Sequence, residues 1–398
     1  VYANGRGNII PGSEEIRVEA KSGTSIRLTI DRDVQWVAQN AISQAVASSR
    51  AKSGTVIVMD PKTGEILAQA SAPTFDPNVP SSITVDKLNN PSVQEVYEPG
   101  STGKVITVAA AMEEGLITPE TVFSIPYSMK VSDGVFRDHE KHPTQRLTTT
   151  GLLAVSSNTG SIKIGQKLGK DNLYKYLTKF GIGQSTNSKL PGESAGILHP
   201  VKNWSGTSLP TISFGQGYSL TAMQATSVFA TIANNGVRVK PSILAGVVNE
   251  SGKYTPAAAN ESTRVLSEQT AINMRAMMEN VVSKNGTAPS AAINGYRVAG
   301  KTGTAERYNT ACKCYSGYTA SFIGFAPADQ PKYVVSVTIQ DPKGMHWGGV
   351  LAGPVFKKVM GFVLQNQRIS PTPETKTFYS LTEAALKQRS KITPKSGA

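Results

Sequence analysis

The sequence predicts a mixed α/β (α+β) fold in which helices flank a mainly antiparallel sheet and a long helical lobe is inserted between its strands. Three observations predict it. Two short apolar runs near the N-terminus face each other across a turn, three further strand-like runs come late in the chain, and the stretch between them reads mostly as helix. In chain order this gives helix, two strands, helical insertion, three strands and helix, which closes as one sheet covered by helices.

Residues 1 to about 25 are polar and glycine-containing, with a short extended stretch at Ile16 to Val18, and lack the mass for a core. They read as a fragment of another domain. Asp31 fits the N-cap of a helix in which Val34, Val37, Ala38, Ala41, Ile42, Ala45 and Val46 recur on one face. Thr55 to Asp60 and Glu65 to Ser71 flank Pro61-Lys62-Thr63-Gly64, a hairpin with its turn. From about residue 75 to 240, helices are expected at Thr102 to Glu114, Thr149 to Leu168, Leu173 to Phe180 and Ala222 to Asn234. Strand signals return at Tyr296 to Thr304, Ala320 to Ala326 and Tyr333 to Gln340, and a helix over Ala352 to Asn366 follows Gly348-Gly349. The tail from Ser370 is rich in proline, threonine and lysine, with one short helix at Leu381 to Arg389.

Composition sets the outer limits. The chain has 398 residues, enough for two or three domains, and its hydrophobic share of 39% with 36 glycines supports a sizeable core. Scattered glycine and proline exclude collagen-like and low-complexity architectures. The 41 basic against 28 acidic side chains leave a formal +13, which suits an anionic neighbourhood without choosing among nucleic acid, membrane and acidic polymer. Cys312 and Cys314, one residue apart, supply neither a disulfide framework nor a four-ligand zinc site. No run of 18 apolar residues occurs and the chain opens on Val1, so any signal or anchor is expected to have been removed.

Four histidines limit the available catalysis. His139-Glu140-Lys141-His142 reads as a polar loop in preference to a metal site, and no metal or cofactor is expected. There is no Gly-x-Ser-x-Gly elbow and no phosphate-binding loop. A serine activated by a lysine of depressed pKa needs no histidine, and a three-residue spacing puts both on one helix face. Two such pairs occur. Ser49 to Lys52 looks like a solvated helix terminus, whereas Ser101 to Lys104 follows Glu98-Pro99-Gly100 and opens an apolar helix. There the helix dipole favours an oxyanion and disfavours a charged lysine. Ser-x-Asn recurs at Ser156, Ser185 and Ser283, and Lys-Ser/Thr-Gly begins at Lys21, Lys52, Lys62, Lys301 and Lys395. Context favours Ser156-Ser157-Asn158, polar residues within an apolar helical segment, and Lys301-Thr302-Gly303-Thr304, which continues a strand.

Ser-x-x-Lys, Ser-x-Asn and Lys-Thr-Gly in this order resemble the signature of penicillin-binding proteins and serine β-lactamases. Met59 to Ala68, Tyr97 to Thr102, Leu190 to Ser194, Ser213 to Gly217 and Val298 to Ala305 narrow the resemblance to class B penicillin-binding proteins, of the cell-division type resembling the transpeptidases of Gram-positive bacteria. The likeness runs from about Leu28 to Leu364. It implies the serine β-lactamase/penicillin-binding transpeptidase fold with a five-stranded sheet. The implied domains are a remnant pedestal over 1–27, a transpeptidase domain over 28–368 and a polar tail over 369–398.

The implied activity is peptidoglycan D,D-transpeptidation: acylation by the D-Ala-D-Ala end of a stem peptide, then transfer to an amine of a neighbouring stem. Ser101 would be the nucleophile and Lys104 its base, with a pKa several units below about 10.4. Lys301 would be the second cation, Ser156 the proton relay, and Asn158 the group holding Lys104 and the substrate amide. Thr302 and Thr304 would bind the terminal carboxylate, with Gly303 between them, and the amides of Ser101 and Thr304 would form the oxyanion hole. β-Lactam antibiotics would acylate Ser101 durably. The implied partners are stem peptides and membrane proteins of the divisome or of cell-wall synthesis, with no nucleic acid. The implied location is the cell membrane, with the catalytic domain outside the cytoplasm and the anchor absent from this chain.

Gly103 departs from relatives that carry a larger apolar residue there. Cys312-Lys313-Cys314 has no family meaning and reads as a surface loop, with a disulfide or a redox-sensitive lid as the alternative. Trp204 and Tyr218 read as packing, and Glu193 as structural. Three other activities would use the same nucleophile: a D,D-carboxypeptidase, a β-lactam sensor domain, and a β-lactamase, for which no deacylating base can be assigned. The long insertion and the N-terminal remnant favour the synthase.

Overall fold

The computed structural model describes residues 2–13, 21–309, 312–372 and 379–392. The extended stretch expected at Ile16 to Val18 lies outside them. The chain divides into two compact units, the smaller drawn from Val1–Leu28 and Leu244–Ala258. In that unit Ser25–Leu28 pairs antiparallel with Leu244–Val248, which pairs in turn with Tyr254–Pro256. None of these three strands had a counterpart in the sequence reading.

The larger unit opens with α1 (Arg32–Ser48), whose N-cap Asp31 accepts the amides of Asp33 and Val34 at 3.0 Å. Next come β1 (Ser53–Met59) and β2 (Ile66–Ala72), joined by a turn in which the Asp60 carboxylate accepts the Lys62 and Thr63 amides. The helical lobe contains α2 (Lys104–Glu113), α3 (Thr149–Ala154), α4 (Asn158–Leu168), α5 (Lys170–Lys179), α6 (Ala222–Ala233) and α7 (Glu268–Glu279). Then β3 (Ala299–Asn309), β4 (Cys314–Ala326) and β5 (Tyr333–Gln340) lead into α8 (Gly348–Asn366), and α9 (Glu383–Ile392) follows.

The five strands form one antiparallel sheet in the order β3-β4-β5-β1-β2. The early hairpin and the late strands meet where Val337 of β5 faces Val56 of β1. Side chains alternate between the two faces of a strand, so each face carries its own core. Val56, Val58, Phe322 and Val337 bury against α1 and α8, while Ile57, Met59, Ile323 and Phe325 bury against the helical lobe.

Four departures from the sequence reading have physical causes. The single helix expected over Thr149 to Leu168 is two, because Ser156 takes a left-handed backbone (φ 63°) and Ser157 caps the second helix by accepting the Gly160 amide. The lobe also contains strand pairs, Val122–Ile125 with Gln145–Thr148 and Ser128–Val131 with Gly134–Arg137, too short to show a period. The β3–β4 hairpin runs past Thr304 to Asn309 and begins again at Cys314, since its polar outer arm has no apolar alternation. The tail returns to the lobe, where Arg146 pairs with Glu383 at 2.9 Å and Arg389 with Glu120 at 2.6 Å. Ion pairing between distant segments leaves no trace in composition.

Phe356 of α8 is fully buried and packs edge-on against Phe322 of β4, with ring centroids 4.8 Å apart. Phe356→Ala is expected to lower unfolding free energy by about 3–5 kcal/mol. Urea denaturation read by circular dichroism checks this.

Candidate active site

Gly100–Gly103 forms a 3-10 turn that leads into α2, so Ser101 sits one short turn before the α-helix proper. The turn is held by backbone bonds from Gly100 to the Gly215 carbonyl at 2.8 Å and from Thr102 to the Pro99 carbonyl at 3.3 Å. Ser101 is half-buried on the wall of a cleft of about 1070 Å³. Lys104, the first residue of α2, is wholly buried behind it.

The Lys104 amine donates to the Ser156 carbonyl at 2.5 Å and to the Ser156 hydroxyl at 3.3 Å. Lys301 of β3, also wholly buried, donates to the same hydroxyl at 2.9 Å. Two lysines from opposite sides of the cleft therefore converge on one serine oxygen. Among the described residues the Ser101 hydroxyl is hydrogen-bonded to neither lysine, and both amines are engaged by Ser156. The expectation that Asn158 holds Lys104 is also corrected: its side-chain amide donates to the Arg137 carbonyl at 2.9 Å. Its carbonyl oxygen is left for the cleft, which it lines.

Burial pulls the Lys104 amine down to about 7, against the Asp138 carboxylate, which favours the charged form. Burial also drives Lys301 well below the ordinary lysine range, and the charge of Lys104 pushes the same way. Sequence reasoning gave Lys301 a fixed positive charge. Its burial beside a second amine argues instead that the pair carries less than its full double charge near neutrality.

Thr302 and Thr304 line the cleft on β3. The Thr302 hydroxyl bonds the Thr287 hydroxyl at 2.8 Å, and that of Thr304 accepts the Gly348 amide at 3.2 Å, at the N-terminus of α8. Between them Gly303 has a steric reason, because a Cβ there would lie 2.4 Å from the Ser321 hydroxyl and 3.0 Å from the Pro99 carbonyl. The strand carrying Lys301 can thus close on the turn carrying Ser101.

Asp138 is the main residue that sequence reasoning missed. Its buried carboxylate accepts the amides of Asn158 (2.5 Å) and Thr159 (2.9 Å), the Ser157 hydroxyl (2.7 Å) and His142 Nε2 (3.0 Å). It anchors the N-terminus of α4 and hence the Ser156 bend. Burial lowers the His142 pKa, but the Pro143 carbonyl and Asp138 outweigh it and the net shift is upward. His139 instead packs edge-on against Trp347 at 4.1 Å. Among the described residues no three His, Cys, Asp or Glu side chains gather as a metal site. Asn285, set aside as part of the Ser-x-Asn match at Ser283, and Thr287, which was missed, also line the cleft. A lone acidic residue in a polar loop and two residues of a small-residue loop gave no periodic signal.

The competing motifs do other work. The Ser49 hydroxyl bonds the Ala45 carbonyl at the end of α1 and is buried, not solvated as expected. Ser185 donates to Glu193 at 2.9 Å. Cys312 and Cys314 are exposed and joined by a disulfide near the tip of the β3–β4 hairpin, so the surface position expected for them holds together with the disulfide alternative.

Comparison with known proteins agrees with this geometry. Residues 54–361 match the penicillin binding protein transpeptidase domain. Penicillin-binding protein PbpB of Mycolicibacterium smegmatis is 40% identical over 379 residues, covering 92% of this chain and 58% of that protein. Peptidoglycan D,D-transpeptidase FtsI of Escherichia coli is 34% identical over 355 residues, covering 89% and 58%. The crystal structure of penicillin binding protein 3 from Mycobacterium tuberculosis complexed with ampicillin superposes with a TM-score of 0.87 at 37% identity, covering 92% of this chain and 84% of that one. Fold and site are those of a penicillin-binding protein transpeptidase domain, and the chain belongs to that family. It spans a little over half the length of the PbpB and FtsI relatives it matches.

Asp138→Ala would strip the N-terminus of α4 of its shared acceptor and leave several buried donors unmet. Unfolding free energy is expected to fall by about 3 kcal/mol or more. Differential scanning calorimetry against the parent protein measures the loss.

Proposed function

We propose that this chain carries the transpeptidase activity of a peptidoglycan D,D-transpeptidase, with Ser101 as the acylated nucleophile. The observation that carries the reading is the convergence of two buried amines on the Ser156 hydroxyl, in the cleft that Ser101 also lines. An uncharged Lys104 would take the Ser101 proton as its oxygen bonds the carbonyl carbon of the penultimate D-alanine. As the peptide C–N bond breaks, the proton would pass through Ser156 to the amine of the departing D-alanine. A neighbouring stem's amine would then attack the ester, form the new peptide bond and return the proton to Ser101.

Thr302 and Thr304, with Lys301 behind them, would receive the terminal carboxylate, and Gly303 keeps the strand close. Asn158 would present its amide oxygen to the substrate amide. The amides of Ser101 and Thr304 would hold the oxyanion, worth roughly 3–4 kcal/mol each. β-Lactams would stop at the ester. Glu193, the nearest thing to a deacylating carboxylate in the sequence, is engaged by Ser185, Thr186 and Ser188 of its own loop and lies off the cleft lining.

The proposed partners are peptidoglycan stem peptides and membrane proteins of the division or wall-synthesis machinery. Among the described residues no helix is long and apolar enough to cross a membrane. We place the catalytic domain on the outer side of the cell membrane. Residues 28–368 would be the catalytic domain and 1–27 part of a pedestal.

Ser101→Ala is expected to abolish labelling by a fluorescent penicillin with the circular dichroism spectrum unchanged; retained labelling refutes the assignment. Intact mass after β-lactam treatment should show one stable adduct, and rapid return to free mass would indicate a lactamase. Acylation should also depend on pH. Because the active form of Lys104 is unprotonated, the rate should be low below its pKa and rise through about 7, read by stopped-flow fluorescence.

A further inference from the structure

Gly103 stands between Ser101 and Lys104, where a side chain would point out of the turn. A Cβ built there would lie 2.4 Å from the Tyr218 hydroxyl oxygen, 2.9 Å from Gly215 Cα and 3.2 Å from Pro99 Cγ. Its space is already filled. Tyr218 is 2% exposed, and among the described residues its hydroxyl has no hydrogen-bond partner. Burying an unpaired hydroxyl is unfavourable, and phenylalanine would bury the same ring without that cost. The hydroxyl therefore needs a reason to be present.

We propose that Tyr218 is a positioning residue for the nucleophile turn, its hydroxyl seated in the notch over Gly103 so that positions 103 and 218 form a size-matched pair. Tyr218 follows the Gly215-Gln216-Gly217 loop, and that loop is fastened to the turn at both ends. The Gly215 carbonyl accepts the Gly100 amide at 2.8 Å, and the Gly217 amide donates to Glu98 at 2.8 Å. Glu98 also accepts the Tyr315 hydroxyl at 3.2 Å, which ties the loop to the β3–β4 hairpin. Tyr218 thus presses a rigid ring on the middle of a turn whose flanks are pinned, fixing the separation of nucleophile and base. The two residues that sequence reasoning set apart, one as a departure and one as packing, are one contact.

The inference rests on the proposed role of Ser101, and the experiment separates the two. The acylation rate constant and the noncovalent dissociation constant are measured for a fluorescent penicillin with the parent, Gly103→Ala, Tyr218→Phe, the double variant and Ser101→Ala. A misplaced nucleophile lowers the rate constant and leaves the dissociation constant, so Gly103→Ala should slow acylation on the order of a hundredfold. Tyr218→Phe should slow it less. The double variant should acylate faster than Gly103→Ala, because the oxygen that the methyl group meets is gone. If Gly103→Ala does not fold, recovery of a folded, labelled double variant supports the pairing, and its failure to fold overturns it. A Gly103→Ala protein that acylates at the parent rate, or a double variant no faster than Gly103→Ala, also overturns it. Labelling of Ser101→Ala would sink the nucleophile assignment instead.

Discussion

The site depends on one arrangement: two lysine amines, both wholly removed from solvent, donating to a single serine hydroxyl. Desolvation makes two full positive charges there prohibitive, so the cluster must give up charge to exist. Its members come from three places, the first residue of α2, the bend between α3 and α4, and the inner part of β3. Each is held by something unrelated to the amines. Asp138 fixes the bend, the Gly215 loop fixes the turn before α2, and sheet pairing fixes β3. An amine exposed by loosening any of these would recover its ordinary affinity for a proton and cease to be a base at neutral pH.

How much of this was legible in the sequence depended on the length scale of the signal. Helix α1 announces itself by a cap and an apolar stripe, and the β1–β2 hairpin by two runs around a turn of known chemistry, because these causes lie within a dozen residues. The order of the three motifs identified Ser101, Lys104, Ser156 and Lys301, and the structure brings the two lysines together on Ser156. The bend at Ser156 was not legible, since the apolar periodicity continues through it and the left-handed residue is a serine rather than a glycine. The polar cluster at 156–158 did carry a hint, as residues that an uninterrupted helix would disfavour.

The missed parts share a cause. Asp138 acts through hydrogen bonds to residues about twenty positions on, and Glu383 pairs with Arg146 across most of the chain. A carboxylate's partner is set by tertiary approach, and one sequence contains no record of approach. The contact of the Asn158 amide with Arg137 escaped notice for the same reason, because Arg137 belongs to a short hairpin that has no period to detect. Asn285, Gly286 and Thr287 line the cleft because β3 passes beside them, a relation fixed by the sheet.

The same long separations give the chemistry a thermodynamic character. Lys104 and Ser156 are 52 positions apart, and Ser156 and Lys301 are 145 apart, so the cluster exists only when lobe and sheet are both formed. In the unfolded chain each amine keeps its ordinary affinity for a proton, and folding lowers that affinity in both. For Lys104 the folded value is about 7 and the ordinary one 10.5. Between these the unfolded state binds more protons than the native one. The cost of burying the amine is therefore full below about 7 and falls as pH rises toward 10.5. Folding stability is given up near neutrality to hold a lysine in the state that can remove a proton, and the two hydrophobic cores on either side of the sheet supply what offsets that loss.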